Sequence, residues 1–233
     1  MDTTQSGTNT PLRKAALFAG FGLMIMTIFA ISALYFVFPQ LIAPGDTVTT
    51  VNNIMADQSL FSIGIASLVM VAIFDLVVAK SLYIFLKPVS QRLSLLAVGF
   101  RVVYTVLLCI ALLNYVDVLQ LLDKADASEI STLQNSVMQS ISAFDYGWSI
   151  GLVFFSLHLM LIGYLFLKSD YVPKLLAVVM LVVGLAYLID NIRILFIPDY
   201  NLGIATYLGW GELFLMSWLL TSGGKHQSAM VSK

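Results

Sequence analysis

The sequence predicts an all-α membrane protein, a bundle of six transmembrane helices with both termini in the cytoplasm. Three observations predict this class. Hydrophobic residues make up 59% of the chain and charged residues only 11%, and the mean hydropathy is +0.92. A water-exposed globular surface carries more charge than this. Six apolar runs, each long enough to cross about 30 Å of hydrocarbon as a helix, are the third observation.

The six apolar runs give the elements in order. A helix rises about 1.5 Å per residue, so a run of roughly 18 residues or more crosses the hydrocarbon. The predicted spans cover residues 15–38, 60–86, 93–115, 144–167, 175–196 and 204–221. Residues 13–222 then form one transmembrane domain, preceded by a disordered cytoplasmic N-terminus at 1–12 and followed by a cytoplasmic tail at 223–233.

The distribution of charge between the loops predicts the orientation. Basic residues gather on one side of the predicted spans: Arg13, Lys14, Lys87, Arg92, Lys168, Lys174, Lys225 and Lys233. The opposite loops carry a single cation, Lys124, among Asp46, Asp57, Asp117, Asp123, Asp126, Glu129 and Asp199. The positive-inside rule therefore places both termini in the cytoplasm. A cleaved signal peptide is the competing interpretation of the first run, but that run is longer than a typical signal-peptide core.

Two segments on the acidic side have a pattern of their own. Residues 39–58 are polar and rich in turn-forming residues, which predicts an ordinary loop that could cover the bundle. Further on, Asp126 and Glu129 form a capping box, and apolar residues recur at helical spacing from Ile130 to Ile141. We expect an amphipathic helix there, which either lies at the interface or lengthens the fourth span.

Composition and motifs exclude several classes of function. A net charge of −1 without a basic stripe excludes a nucleic-acid-binding surface. One cysteine, Cys109, rules out a disulfide framework or a cysteine metal cluster within one chain. No HExxH, glycine-rich phosphate loop or GxSxG motif is present, so no cofactor, metal or hydrolase is indicated.

Ionisable residues inside the spans are the candidate functional residues, because each costs about 2.5 to 3.5 kcal/mol to insert at a helix centre. Lys80 lies roughly 10 Å from the basic side, so its long stem is expected to reach the headgroups. The other candidates for binding a solute or an ion are Asp75, Arg101, His158, Asp190, Arg193 and Glu212. An ion pair between Asp75 and Arg101 on neighbouring spans is predicted, either as a packing device or as part of a site.

Asp190 and Arg193 are three residues apart and therefore share a helix face, which predicts a local ion pair. Glu212, at a similar level on the next span, is the rival partner for the arginine. Asp75, His158 and Glu212 all lie roughly 15 Å deep by helical rise, so they could meet as a proton relay or cation site. The alternative for His158 is a neutral ring bonded to a serine or a backbone carbonyl.

A family resemblance rests on the second half of the chain. The stretches "GYLFLKSDYVPKLLAVVMLVVGLAYLID" from Gly163 and "GELFLMSWLL" from Gly211, with "RKAALFAGFGLM" from Arg13, resemble the bacterial integral membrane family named domain of unknown function 4386. The resemblance implies a multi-spanning protein of the bacterial cytoplasmic membrane, and it implies no substrate or reaction.

The leading functional hypothesis is a permease for a small solute, a cation or a proton, with membrane lipid and that solute as its partners. The permease would use the buried polar cluster as its site. The second hypothesis is a non-catalytic structural or stress-associated membrane component. The third is a membrane-embedded enzyme acting on lipid, which would need Asp75, His158 and Glu212 to converge.

Overall fold

The structure, a computed structural model, describes residues 11–123, 130–197 and 203–225. Its helices are α1 (Pro11–Ile31), α2 (Phe38–Leu41), α3 (Thr47–Ala56), α4 (Gln58–Leu86), α5 (Gln91–Asp123), α6 (Ile130–Lys168), α7 (Lys174–Phe196), α8 (Ile204–Leu208) and α9 (Glu212–Thr221). Five stretches are long and apolar enough to cross a membrane: α1 continued through α2, then α4, α5, α6 and α7. The chain is therefore a multi-pass helical membrane protein, and these five stretches match the first five predicted spans.

The spans close into a ring around one core. Helix α1 packs on α4, α4 on α5, α5 on α6 and α6 on α7, while α9 contacts both α1 and α7. Apolar side chains on the outside of the ring are exposed, such as Ile73 (51%), Ile110 (55%) and Leu185 (48%). An apolar outer surface at these depths is what a lipid environment requires.

The first span is irregular before Pro39. Residues Ser32–Val37 form a π-helical stretch between α1 and α2, and the amide of Phe38 bonds the carbonyl of Ala33. Proline cannot donate to the carbonyl four residues earlier, and its ring would clash with that carbonyl in a regular α-helix. The wider π-helical turn removes this conflict, and such turns often occur at functional sites.

The segment predicted as an ordinary loop at 39–58 is instead mostly helical, which corrects that prediction. Asp46 accepts a hydrogen bond from the Thr49 amide at 2.9 Å and so caps α3. The bonds from the Thr49 amide and hydroxyl hold the pKa of Asp46 below its usual value. Buried Val51 and Ile54 pack α3 onto the bundle, where it contacts α6.

The fourth span begins well before the hydrocarbon run. Helix α6 extends unbroken over 39 residues, and Val137 and Ile141 of the predicted amphipathic stretch are buried in the core. This stretch thus lengthens the span, one of the two alternatives that the sequence left open. The predicted capping box at Asp126 and Glu129 lies outside the described residues.

The sixth predicted span, 204–221, is helical but broken. Helix α8 is followed by a 3₁₀ turn at Gly209–Gly211 and then by α9. Two glycines within three residues weaken a continuous α-helix. A Cβ atom at Gly211 would lie 2.5 Å from a Val183 methyl group, so glycine here permits close packing of this segment on α7.

The start of α1 and the segment that follows α9 meet at one end of the bundle, which we call the terminal end. Arg13, buried near the start of α1, donates to the carbonyls of Leu219 (2.9 Å), Leu220 (2.6 Å) and Gly223 (2.9 Å) at the end of α9. The opposite end, where α3 lies, is the loop end. Helix α1 begins at Pro11, two residues before the predicted domain, and the remaining predicted tail residues 1–10 and 226–233 lie outside the described residues.

Candidate functional site

A buried ion cluster lies near the middle of the bundle and consists of Asp75, Arg101, Thr105 and His158. Arg101, 2% exposed on α5, places Nη2 2.6 Å from Oδ1 of Asp75 on α4. Its Nη1 lies 3.0 Å from Nε2 of His158 on α6. The predicted interhelical pair of Asp75 and Arg101 is confirmed, and the arginine links three helices.

The bonding pattern assigns the histidine tautomer. Nδ1 of His158 lies 2.8 Å from the carbonyl oxygen of Ala97, which can only accept, so Nδ1 carries the proton. Nε2 is then the acceptor for Arg101. This neutral ring bonded to a carbonyl is the structural alternative that the sequence left open for His158.

Further contacts join the members of the cluster. The Thr105 hydroxyl donates to Oδ2 of Asp75, and the Arg101 guanidinium lies 5.4 Å from the centroid of the Phe155 ring. The short contact between Arg101 and Asp75 brings the two charges together without the alignment of a good hydrogen bond. Oδ1 of Asp75 and Nε of Arg101 have no hydrogen-bond partner among the described residues. Neither of these residues lines the cavity described next, and nor does His158.

A cavity of about 420 Å³ occupies the half of the bundle toward the loop end. Its walls come from α1, α4, α5, α6, α7 and the broken α8–α9 segment. Tyr35, Thr206 and Trp210 line it and are exposed, so they border its opening. A volume of this size is typical of small-molecule sites.

The remaining three candidates lie on this cavity: Asp190, Arg193 and Glu212. Glu212 begins α9 directly after the 3₁₀ turn, and its side chain lies close to that of Tyr187. The residue is half-buried and lines the cavity. Glycine at 209 allows this approach, since a Cβ atom there would lie 2.8 Å from the Tyr187 hydroxyl.

The cavity and the ion cluster are separated by a thin wall. Met26 and Phe155 line the cavity, and both contact Arg101 on their other side, the Met26 sulfur at 3.9 Å from Nη2. The three residues Asp75, His158 and Glu212, which the sequence suggested could meet, therefore do not form one site. Asp75 and His158 meet through Arg101, and Glu212 faces the cavity across this wall.

The predicted ion pair of Asp190 with Arg193 is wrong. Over residues 11–123, 130–197 and 203–225 the structure contains one ion pair, that of Arg101 with Asp75. Oδ2 of Asp190 instead accepts from the Ala205 amide at 2.6 Å, at the start of α8. The spacing of the two residues permits a pair, but the unsatisfied amide of a helix start lies closer to the carboxylate.

Three buried polar atoms on cavity-lining residues have no protein hydrogen-bond partner: Nε1 of Trp148, Oδ1 of Asp190 and Nε of Arg193. Unpaired buried polar atoms are rare in native structures. These three atoms are themselves covered by protein, and three further unpartnered atoms belong to residues that do not line the cavity: Oδ1 of Asp75, Oγ of Ser94 and Nε of Arg101. Within the described residues, no three His, Cys, Asp or Glu side chains come together to hold a metal ion.

Lys80 lies on the exposed outer face of α4 and has no ion pair with a described residue. Its predicted reach to the headgroups stays a prediction. Sequence reasoning missed Thr105, although it follows Arg101 by one helical turn and so shares its face. It also missed Trp148 on the cavity. Tyr187 is a possible partner of Asp190 from the sequence, but its place beside Glu212 depends on contacts between distant helices.

Comparison with known proteins agrees with the resemblance noted above. The sequence model of the family described as "Domain of unknown function (DUF4386)" matches residues 18–223. The chain belongs to this family. It is also 30% identical over 161 residues to an uncharacterised protein of Archaeoglobus fulgidus, a match that covers 69% of this chain and 84% of the relative. No solved structure matches the chain.

Proposed function

We propose that this DUF4386 protein is a permease for a small solute and that the cavity at the loop end is its binding site. One observation carries the proposal: a cavity in the loop-end half, bordered by the exposed residues Tyr35, Thr206 and Trp210, reaches the wall of the ion cluster in the middle of the bundle, while large side chains such as Phe85 and Phe166 fill the terminal half. A site near the bilayer midplane that is open to one side is the arrangement expected of one state of a carrier.

The charges on the cavity support a binding role. Asp190, Arg193 and Glu212 are costly to keep inside a membrane protein, and none forms an ion pair with a described residue. A purely structural role would favour mutual neutralisation, as in the ion cluster. Charged residues that line a cavity and form no ion pair are instead available to pair with a charged ligand.

We further propose six membrane crossings with both termini in the cytoplasm, in the cytoplasmic membrane. The bonds from Arg13 to the end of α9 support an even number of crossings, since they join the two ends of the domain. The broken α8–α9 segment would be the sixth crossing. Lys87, Arg92, Lys168 and Lys174 flank the helix ends at the terminal end, which supports a cytoplasmic location for that end.

Cysteine accessibility tests the permease. In a Cys109→Ser background, Thr27→Cys on the cavity wall should react with an impermeant thiol reagent added at the loop end, because only a thiol in water ionises readily. Ser94→Cys should react from the terminal end. Ser94 lies on the same face of α5 as Arg101 but in the closed half, where its side chain is 1% exposed. Reaction at both sites means that each half opens in turn.

Neighbouring residues supply controls of equal depth. Ile28→Cys beside Thr27, and Leu95→Cys beside Ser94, lie on the outer face of their helices at 61% and 60% exposure and should react slowly from either end. Reaction at Thr27→Cys alone would leave a binding protein that does not transport. Protection of both test sites would overturn the proposal.

A structural role is the second candidate, and the contacts within the ion cluster favour it. Asp75, Arg101 and His158 hold three helices together and do not line the cavity. In that case the protein is a non-catalytic structural or stress-associated membrane component, and the buried charges serve to fix the packing of its helices. We do not propose a lipid-acting enzyme, because Asp75 and His158 are both bound to Arg101.

A further inference from the structure

The floor of the cavity is lined by aromatic rings from three helices. Tyr104 and Phe155 have ring centroids 4.9 Å apart, and Phe155 and Tyr187 are 5.7 Å apart with their rings nearly perpendicular. Trp148 adds an indole to the same cavity. Aromatic faces carry negative potential, so rings gathered around a cavity favour a positively charged occupant.

One carboxylate lies among these rings. Glu212 lies beside the side chain of Tyr187 and forms no ion pair with any residue of the described ranges. The nearby cation, Arg101, is paired with Asp75 behind the wall of Met26 and Phe155. At the floor of the cavity, Glu212 is therefore the acidic group without a cationic partner.

The cation of the cavity lies nearer its mouth. Arg193 follows Tyr187 by six residues on α7, about 9 Å closer to the loop end by helical rise. Asp190, on the same helix, lies between these two levels and has one carboxylate oxygen without a partner. The lining thus carries two carboxylates against one guanidinium, with the aromatic rings gathered around the deeper carboxylate.

From this arrangement we propose that the cavity binds a hydrophobic organic cation, a substituted ammonium whose charge lies against Glu212 and the rings of Tyr104, Phe155 and Tyr187. The proposal rests on the proposed binding role of the cavity and names its ligand class. The remaining lining is mostly apolar, including Leu23, Leu68 and Leu152, so it suits the hydrocarbon body of such a ligand.

The ligand class can be tested with three probes of similar size. Their binding to the purified full-length protein in detergent is measured by titration calorimetry. The probes are benzyltrimethylammonium, neutral N-benzylacetamide and anionic phenylmethanesulfonate. We expect the cation to bind on the order of tenfold more tightly than the neutral probe, and the anion to bind weakest. Glu212→Gln should remove the preference for the cation and leave the affinity for the neutral probe nearly unchanged.

Two variants control for folding and for general charge. Glu212→Asp keeps the charge and should retain a preference for the cation, and Asp117→Asn removes an exposed carboxylate of α5 that does not line the cavity and should change nothing. Size-exclusion profiles identify any misfolded variant.

Each remaining outcome separates the two proposals. Equal binding of the cation and the neutral probe would overturn the cation proposal and leave a solute site. Preference for the anion would also overturn it and assign the site to Arg193. If no probe binds, the cation proposal fails, and labelling of Thr27→Cys then decides separately whether the cavity is open.

Discussion

The two halves of the bundle differ in how their helices approach one another. Toward the terminal end the helices are regular and closely packed. Phe85 and Phe166 are fully buried there, and both rings contact Trp218 at 5.9 and 6.4 Å. A Cβ atom at Gly163 would lie 3.0 Å from the backbone of α7, so α6 and α7 are in direct contact.

Toward the loop end the same helices diverge around the cavity. The first span contains its π-helical stretch there, and the sixth segment is broken by a 3₁₀ turn. Both irregular stretches contribute lining residues, including Tyr35 and Trp210, whose rings lie 6.2 Å apart. The open half therefore differs from the closed half in that two of its segments depart from regular α-helix geometry.

The ion cluster lies at the boundary between the halves, and breaking it should have the largest effect. Arg101→Leu leaves Asp75 buried with only Thr105 as a partner, so stability should fall by about 3 to 5 kcal/mol. Asp75→Leu with Arg101→Leu should be less destabilised than Arg101→Leu alone, although His158 still loses its donor. Chemical unfolding in detergent measures both. If the loss of stability in the double variant equals the sum of the losses in the two single variants, the two residues do not stabilise the fold as a pair.

An added methyl group should lower the stability of the protein in the closely packed interior of the closed half, but not on the outer surface of the bundle. Gly163→Ala should lower stability by about 1 to 3 kcal/mol, because backbone atoms of α7 cannot yield easily. Gly99→Ala on α5 is the matched control, since no atom lies within 4 Å of its Cβ position. There, alanine should be neutral or slightly stabilising in a helix. Thermal unfolding that is equal for the two variants would contradict the close packing of this half.

The smallest effect is expected in the open half, at Asp190. Asp190→Asn retains an acceptor oxygen for the Ala205 amide, so stability should fall by less than about 1 kcal/mol. Adding Arg193→Gln should restore nothing, because the two side chains are not paired. A large loss in thermal stability that Arg193→Gln reverses would reinstate the ion pair predicted from the i, i+3 spacing.

Predictions from the sequence were accurate where local composition decides the result. The first five spans, the continuation of the fourth beyond the hydrocarbon run and the pairing of Asp75 with Arg101 all follow from apolar run length, helical period and the cost of an isolated charge. The helix α3 was missed because its polar, turn-rich residues indicate a loop. Val51 and Ile54 are buried only in the folded bundle, where α3 contacts α2, α4 and α6.

By itself, then, the sequence determined that the chain spans a membrane several times, roughly where it does so, and which ionisable residues lie within the spans. Only the tertiary structure decided how those residues divide into a closed cluster and an open cavity. The division depends on which helices are neighbours and on the π-helical and 3₁₀ stretches that part them, and contacts between residues far apart in the chain leave no periodic trace in the sequence. Asp190 shows the reason most directly: its partner is the amide of Ala205 on another helix, and not the arginine three residues away.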